Sequence, residues 1–204
     1  MVTKKKDYDE VVGFGQSDFK ALPKGGYVCR IIMAEEMMSG SGKPMIHVAF
    51  DIIEGDFTGY FMNLYHTRKK ANTDPLKEVK YPFEGQMWIP VDDYEDPNKT
   101  SRKLKGFCTA VEDSGTAIWN ANGVLDLKKI KDAEVGVVYQ NVEREWNGET
   151  SWRALPWGFR SVETILSGDY YVPDDKPLPT TYNTGFEPTT SADSFSAAED
   201  DIPF

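Results

Sequence analysis

Apolar residues recur with period two before residue 60 and again after residue 134, and with period 3.6 once between them. Residues 27–33 are β-branched and apolar on both faces, as in a strand covered from two sides. The Ser, Gly, Lys and Pro cluster at 39–44 predicts a turn, after which residues 45–53 alternate. Ile46, Val48, Phe50 and Ile52 share one face and His47, Ala49 and Asp51 the other, which predicts His47 outside the core. A turn at 55–59 leads to residues 60–66, whose aromatic content predicts a third strand ending in Arg68, Lys69 and Lys70.

Residues 67–97 break this rhythm and read as an insertion after the third strand, with residues 87–89 a candidate small strand inside it. Leu104, Phe107, Cys108 and Val111 then fall at i, i+3, i+4 and i+7, predicting a helix with Asn98 or Thr100 at its start and Gly115 at its end. A second short helical piece is expected from Asp126. Asn147-Gly148 predicts a type I′ hairpin that pairs Arg144 with Ser151, Val142 with Arg153 and Trp146 with Glu149. One face of that hairpin carries Trp146, Arg144 and Arg153 near the tip and Val138, Leu155 and Trp157 near the base. The base is expected in a core and the tip outside it.

The order strand, strand, strand, helix, strand, strand predicts a mostly β five-stranded OB-fold barrel with one helix between strands 3 and 4. After residue 168, Pro, Thr, Ser, Asp and Gly take over without periodicity. The expected organisation is a flexible arm at 1–17, an OB-fold domain at 18–168 and a disordered acidic tail at 169–204.

Composition adjusts this picture in two places. With 204 residues, 40% hydrophobic and 13% aromatic, the chain suits one domain with extensions. A net charge of −10 argues against a nucleic-acid partner until its distribution is read. Residues 169–204 hold eight acids and one base, leaving 25 acids and 22 bases for the body, so basic patches there remain open. Cys29 and Cys108 fit buried thiols of a reducing compartment. The absence of a leader and of an apolar run near about 18 residues predicts no membrane association and a location in the cytoplasm.

Binding a single strand requires aromatic faces for bases and cations for phosphates, and the body interleaves both. The candidate contacts are His47, Phe61, Tyr65, Arg68, Lys69, Lys70, Trp88, Lys103, Arg144, Trp146 and Arg153. Phe61 competes with a core role, and the run Arg68 to Lys70 with a merely solvated charge cluster. Catalysis has little support, because Asp92, Asp93, Glu95 and Asp96 read as a solvated acidic loop. His47, His66, Cys29 and Cys108 match no zinc spacing, and no cofactor motif is present, so neither enzyme activity nor a cofactor is expected.

The chain ends in Asp200-Asp201-Ile202-Pro203-Phe204, apolar anchors beside acids and a carboxylate, suited to capture in a basic-rimmed pocket. These residues resemble the acidic tip of bacterial single-stranded DNA-binding proteins. Leu22-Pro23-Lys24-Gly25-Gly26-Tyr27-Val28, Gly42-Lys43-Pro44-Met45 and Gly59-Tyr60 resemble small single-stranded DNA-binding proteins of bacteriophages. The resemblance implies an OB body that coats single-stranded DNA without strong sequence preference in phage replication, recombination and repair. It also implies a tip that docks replication or recombination enzymes, and it is compatible with a homo-oligomer. The alternative is an OB-like adaptor or decoy that binds host replication proteins through the tip without binding DNA.

Overall fold

Alternation along the first strands becomes a long antiparallel hairpin in the computed structural model, whose described residues are 20–179. The arm at 1–17 and the tip Asp200 to Phe204 lie outside them. Strand β1 (Gly25–Met38) returns as β2 (Pro44–Ile52). A register shift between Ile31 and Met33 adds one residue to β1. Ile31 and Ala34 therefore pair with Phe50 and Val48 on the core side, while Met33, Glu35 and Met37 pair with Ala49, His47 and Met45 on the other. That second face becomes the floor of the candidate site.

Strand β3 (Gln86–Pro90) adds to β2, and β4 (Glu134–Trp146) adds to the first half of β1. Strand β5 (Glu149–Arg160) returns along β4 through Asn147 and Gly148, both at positive φ. The hairpin has the predicted pairs Arg144 with Ser151, Val142 with Arg153 and Trp146 with Glu149. Toward the base, β5 gains an extra residue, since Tyr139 pairs with Pro156 and Val138 with Gly158. The bulge turns Trp157 outward, 42% exposed, so the expectation of a core position at that base fails for Trp157 and for the half-buried Leu155, which is in neither core cluster, and holds for Val138, which is buried.

The third strand is not at 60–66. Those residues open helix α1 (Tyr60–Ala71), and the third strand in chain order is β3, inside the segment read as an insertion. Gly59 enters the helix at φ 74, a left-handed conformation that ends the extended chain. Asp51, at the end of β2, accepts from the Phe61 amide at 2.9 Å and so satisfies a donor the first helical turn leaves free. Arg68, Lys69 and Lys70 fall in the last turn, where the helix dipole favours cations.

Helix α2 (Arg102–Asp113) stands between the third and fourth strands as expected and buries Leu104, Phe107, Cys108 and Val111. Ser101, rather than Asn98 or Thr100, caps it by accepting from the Leu104 amide at 3.0 Å. Helix α3 (Leu127–Ile130) follows Asp126. The core gathers Phe50, Phe107 and Phe159 edge to face, with Phe61 stacked on Tyr139 at 6.1 Å.

The sheet order is β3-β2-β1-β4-β5, antiparallel throughout. Instead of the expected closed barrel, the sheet is open, with β3 and β5 as its edges. A 3₁₀ turn at Phe83–Gly85 bridges toward the β5 side: Tyr139 Oη donates to the Glu84 carbonyl at 3.0 Å, and Arg153 Nη1 stands 3.3 Å from the Glu84 carboxylate.

Helix α4 (Val162–Ser167) covers the other face, where Val28, Val138 and Ile165 form a second small cluster. Two glycines make room for it. A Cβ at Gly136 would overlap Ile165, and one at Gly26 would stand 2.6 Å from the Tyr170 ring. Residues 169–179, read from sequence as the start of the tail, are bound to the sheet. Tyr170 Oη accepts from the Gly26 amide at 3.0 Å, and Lys176 exchanges main-chain hydrogen bonds with Asn141 and Glu143 beside β4. Among the described residues no helix is long and apolar enough to cross a membrane.

Candidate functional site

The face of β1, β2 and β3 opposite the main core is open and forms the floor of a groove of about 1200 Å³. Met33, Glu35 and Met37 come from β1, His47 and Ala49 from β2, and Gln86 and Trp88 from β3. One wall is α1, through Met62, Tyr65 and Arg68, continued by residues 78–84; the other is the tip of the β4–β5 hairpin, through Arg144, Trp146 and Arg153.

Three rings stack along the floor. His47 lies flat on Trp88 at 4.7 Å and 4°, and Phe83 stacks on Trp88 at 5.4 Å and 26°. Gln86 fixes this arrangement. Its amide nitrogen donates to the carbonyls of Tyr81 and Pro82 at 2.8 and 3.1 Å, which turns its oxygen toward His47 Nε2 at 2.7 Å. His47 Nδ1 stands 3.3 Å from Glu35. Phe83, at the end of the stack, is exposed.

Seven of the eleven residues expected to contact a strand line this one groove: His47, Tyr65, Arg68, Trp88, Arg144, Trp146 and Arg153. Phe61 does not. It is fully buried, because the segment that carries it is a helix whose apolar side enters the core, so the expectation of a base contact there is corrected. Lys69 and Lys70 are exposed at the end of α1 outside the lining, Lys69 with its ammonium 5.9 Å from the Tyr65 ring centre. Lys103 is exposed on α2 and does not line the groove either.

The lining is electrically balanced, with Arg68, Lys80, Arg144 and Arg153 against Glu35, Glu78, Glu84 and Glu145. Tyr81 behind the stack donates to the Phe50 carbonyl at 3.2 Å, and burial raises its pKa well above the usual phenol range. Asp51, under α1, is also raised by burial, against the lowering effect of the Phe61 and Ile52 amides it accepts from. These two groups hold the wall and floor together. Among the described residues no group of three or more His, Cys, Asp or Glu side chains is placed to hold a metal ion.

Residues 5–150 match the model of the family described as "Protein of unknown function (DUF669)". The chain belongs to this family. No curated protein matches it. The family match takes in the groove floor, α1 and β4 up to the hairpin turn, and it leaves the residues after Thr150 outside.

Phe83, Tyr81, Gln86 and the methionines Met33, Met37 and Met62 are site residues that the sequence reading did not single out. The signal for Gln86 was the short strand at 87–89. Taken as the true third strand, its alternation sets Trp88 and Gln86 opposite the buried Ile89.

Proposed function

We propose that this protein binds single-stranded nucleic acid in the groove, as a single-stranded DNA-binding protein of phage replication, recombination and repair. The observation that carries the proposal is the Phe83, Trp88 and His47 stack, open at Phe83, lying between Arg68 on one wall and Arg144 and Arg153 on the other. A base added to an aromatic face contributes about 1–3 kcal/mol whatever its identity, which suits binding without sequence choice. The narrower reading of the fold, an OB-type Greek-key barrel opened along one seam, belongs to the same proposal. It is supported by five antiparallel strands with a helix between the third and fourth. The tip Asp200 to Phe204 would then recruit a replication or recombination enzyme in the cytoplasm of the host cell.

The test is a titration of intrinsic tryptophan fluorescence with oligo-dT and with duplex DNA at two salt concentrations. Preferential quenching by the single strand is expected, and equal affinity for both would end the proposal. The balanced charge and methionine floor of the groove favour a second reading, an adaptor that takes an apolar peptide there and binds no DNA. It predicts no response to oligo-dT at either salt concentration.

A further inference from the structure

The floor of the groove continues past its own rim. Ala49, His47 and Met45 share one face of β2, and Lys43, one residue before the strand, keeps their parity. At about 3.4 Å per residue, Lys43 stands about 14 Å along the strand from His47. Its ammonium lies 4.8 Å from the centre of the Tyr94 ring. Tyr94 is 78% exposed, a large aromatic surface outside the core cluster.

The loop that presents this ring is tied down on both sides. The Val91 amide donates to the Pro44 carbonyl at 3.0 Å, Asp92 bridges to Thr100, and the Asp93 amide donates to the Lys99 carbonyl at 2.8 Å. Two of the loop's four acids are engaged within it. Asp93 accepts from the Glu95 amide at 3.0 Å, and Asp96 accepts from the Asn98 amide at 3.1 Å and pairs with Lys99 at 3.3 Å. Tyr94 is thus a water-facing ring on a tied-down loop, with a cation over it and most of its surface exposed. A nucleobase beside a phosphate has the chemistry to use both.

We propose, resting on the groove reading above, that a bound single strand leaves the groove across the β1–β2 turn. A further base then stacks on Tyr94, and Lys43 meets the adjoining phosphate. The site is an extension of the groove, so it acts only on strands long enough to reach it.

The experiment measures anisotropy of labelled oligo-dT of about 4 and about 12 nucleotides, within the range of site sizes for such folds. Wild type, Tyr94→Ala, Tyr94→Phe and Lys43→Ala are compared. Tyr94→Ala is expected to weaken the longer strand by about 5-fold or more and to leave the shorter one unchanged, while Tyr94→Phe retains both. Lys43→Ala is expected to weaken the longer strand and flatten its salt dependence. Unchanged affinity of Tyr94→Ala for the longer strand, or equal loss on both lengths, overturns the extension while the groove reading stands. Failure of wild type to bind either length overturns both.

Discussion

Asp51 joins two parts of the fold with one carboxylate. It is the last residue but one of β2, and its Oδ1 accepts from the amides of Ile52 at 3.0 Å and Phe61 at 2.9 Å. Burial raises its pKa above the ordinary 3.8, so the folded protein holds this proton more tightly than the unfolded chain does. The associated stability is fully present below 3.8 and is lost as pH rises through the raised value. Asp51→Asn keeps an oxygen acceptor and removes the titration. Urea midpoints from pH 4 to 7 are therefore expected to show the variant gaining on wild type as pH rises, and a constant difference would contradict the assignment. At the stack, Phe83→Ala and Trp88→Ala are each expected to weaken oligo-dT binding by about 1–3 kcal/mol, read by anisotropy, with the fold retained in circular dichroism.

Elements differ in how much of them the local sequence specifies. The β4–β5 hairpin was legible because Asn147-Gly148 fixes both the turn and the register, and helix α2 was legible because its apolar period is local. Helix α1 was not. Tyr60 to His66 carry strand-favouring aromatics, and what makes them helical is a carboxylate on β2 and a left-handed Gly59, a long-range contact and a backbone choice. Reading that segment as a strand displaced β3 and placed Phe61 on a surface it does not reach. Helix α4 was unread because its partner face depends on two missing side chains, at Gly26 and Gly136. Gly136→Ala would overlap Ile165 and stand 3.0 Å from the carbonyls of Arg160 and Ser161. A loss of about 1–3 kcal/mol is expected in denaturant unfolding. Ending the chain at Gly168 removes Tyr170 and the main-chain pairing of Lys176 and is expected to lower the melting temperature, whereas ending it at Pro179 leaves the described body intact.

For the whole molecule, the candidate site was legible as a set of residue types and not as a surface. Aromatics interleaved with cations were visible along the chain, yet their convergence depends on the bulge in β1 and on α1 forming a wall. The balance of four acids against four cations could not be read, since those residues lie far apart in sequence. Under the proposed reading, it makes stacking the larger expected source of affinity. With four cations in the lining, the slope of log affinity against log salt for a strand short enough to stay within the groove is expected no steeper than about −3, at roughly −0.7 per phosphate for single strands.

The most direct test follows the indole N–H resonances of the five tryptophans during titration with oligo-dT. Trp88 and Trp146 are expected to shift in step with binding while Trp119 and Trp157, outside the groove lining, stay in place. Shifts confined to Trp119 or Trp157, or saturation by oligo-dT with Trp88 unmoved, would contradict a single-strand site in this groove.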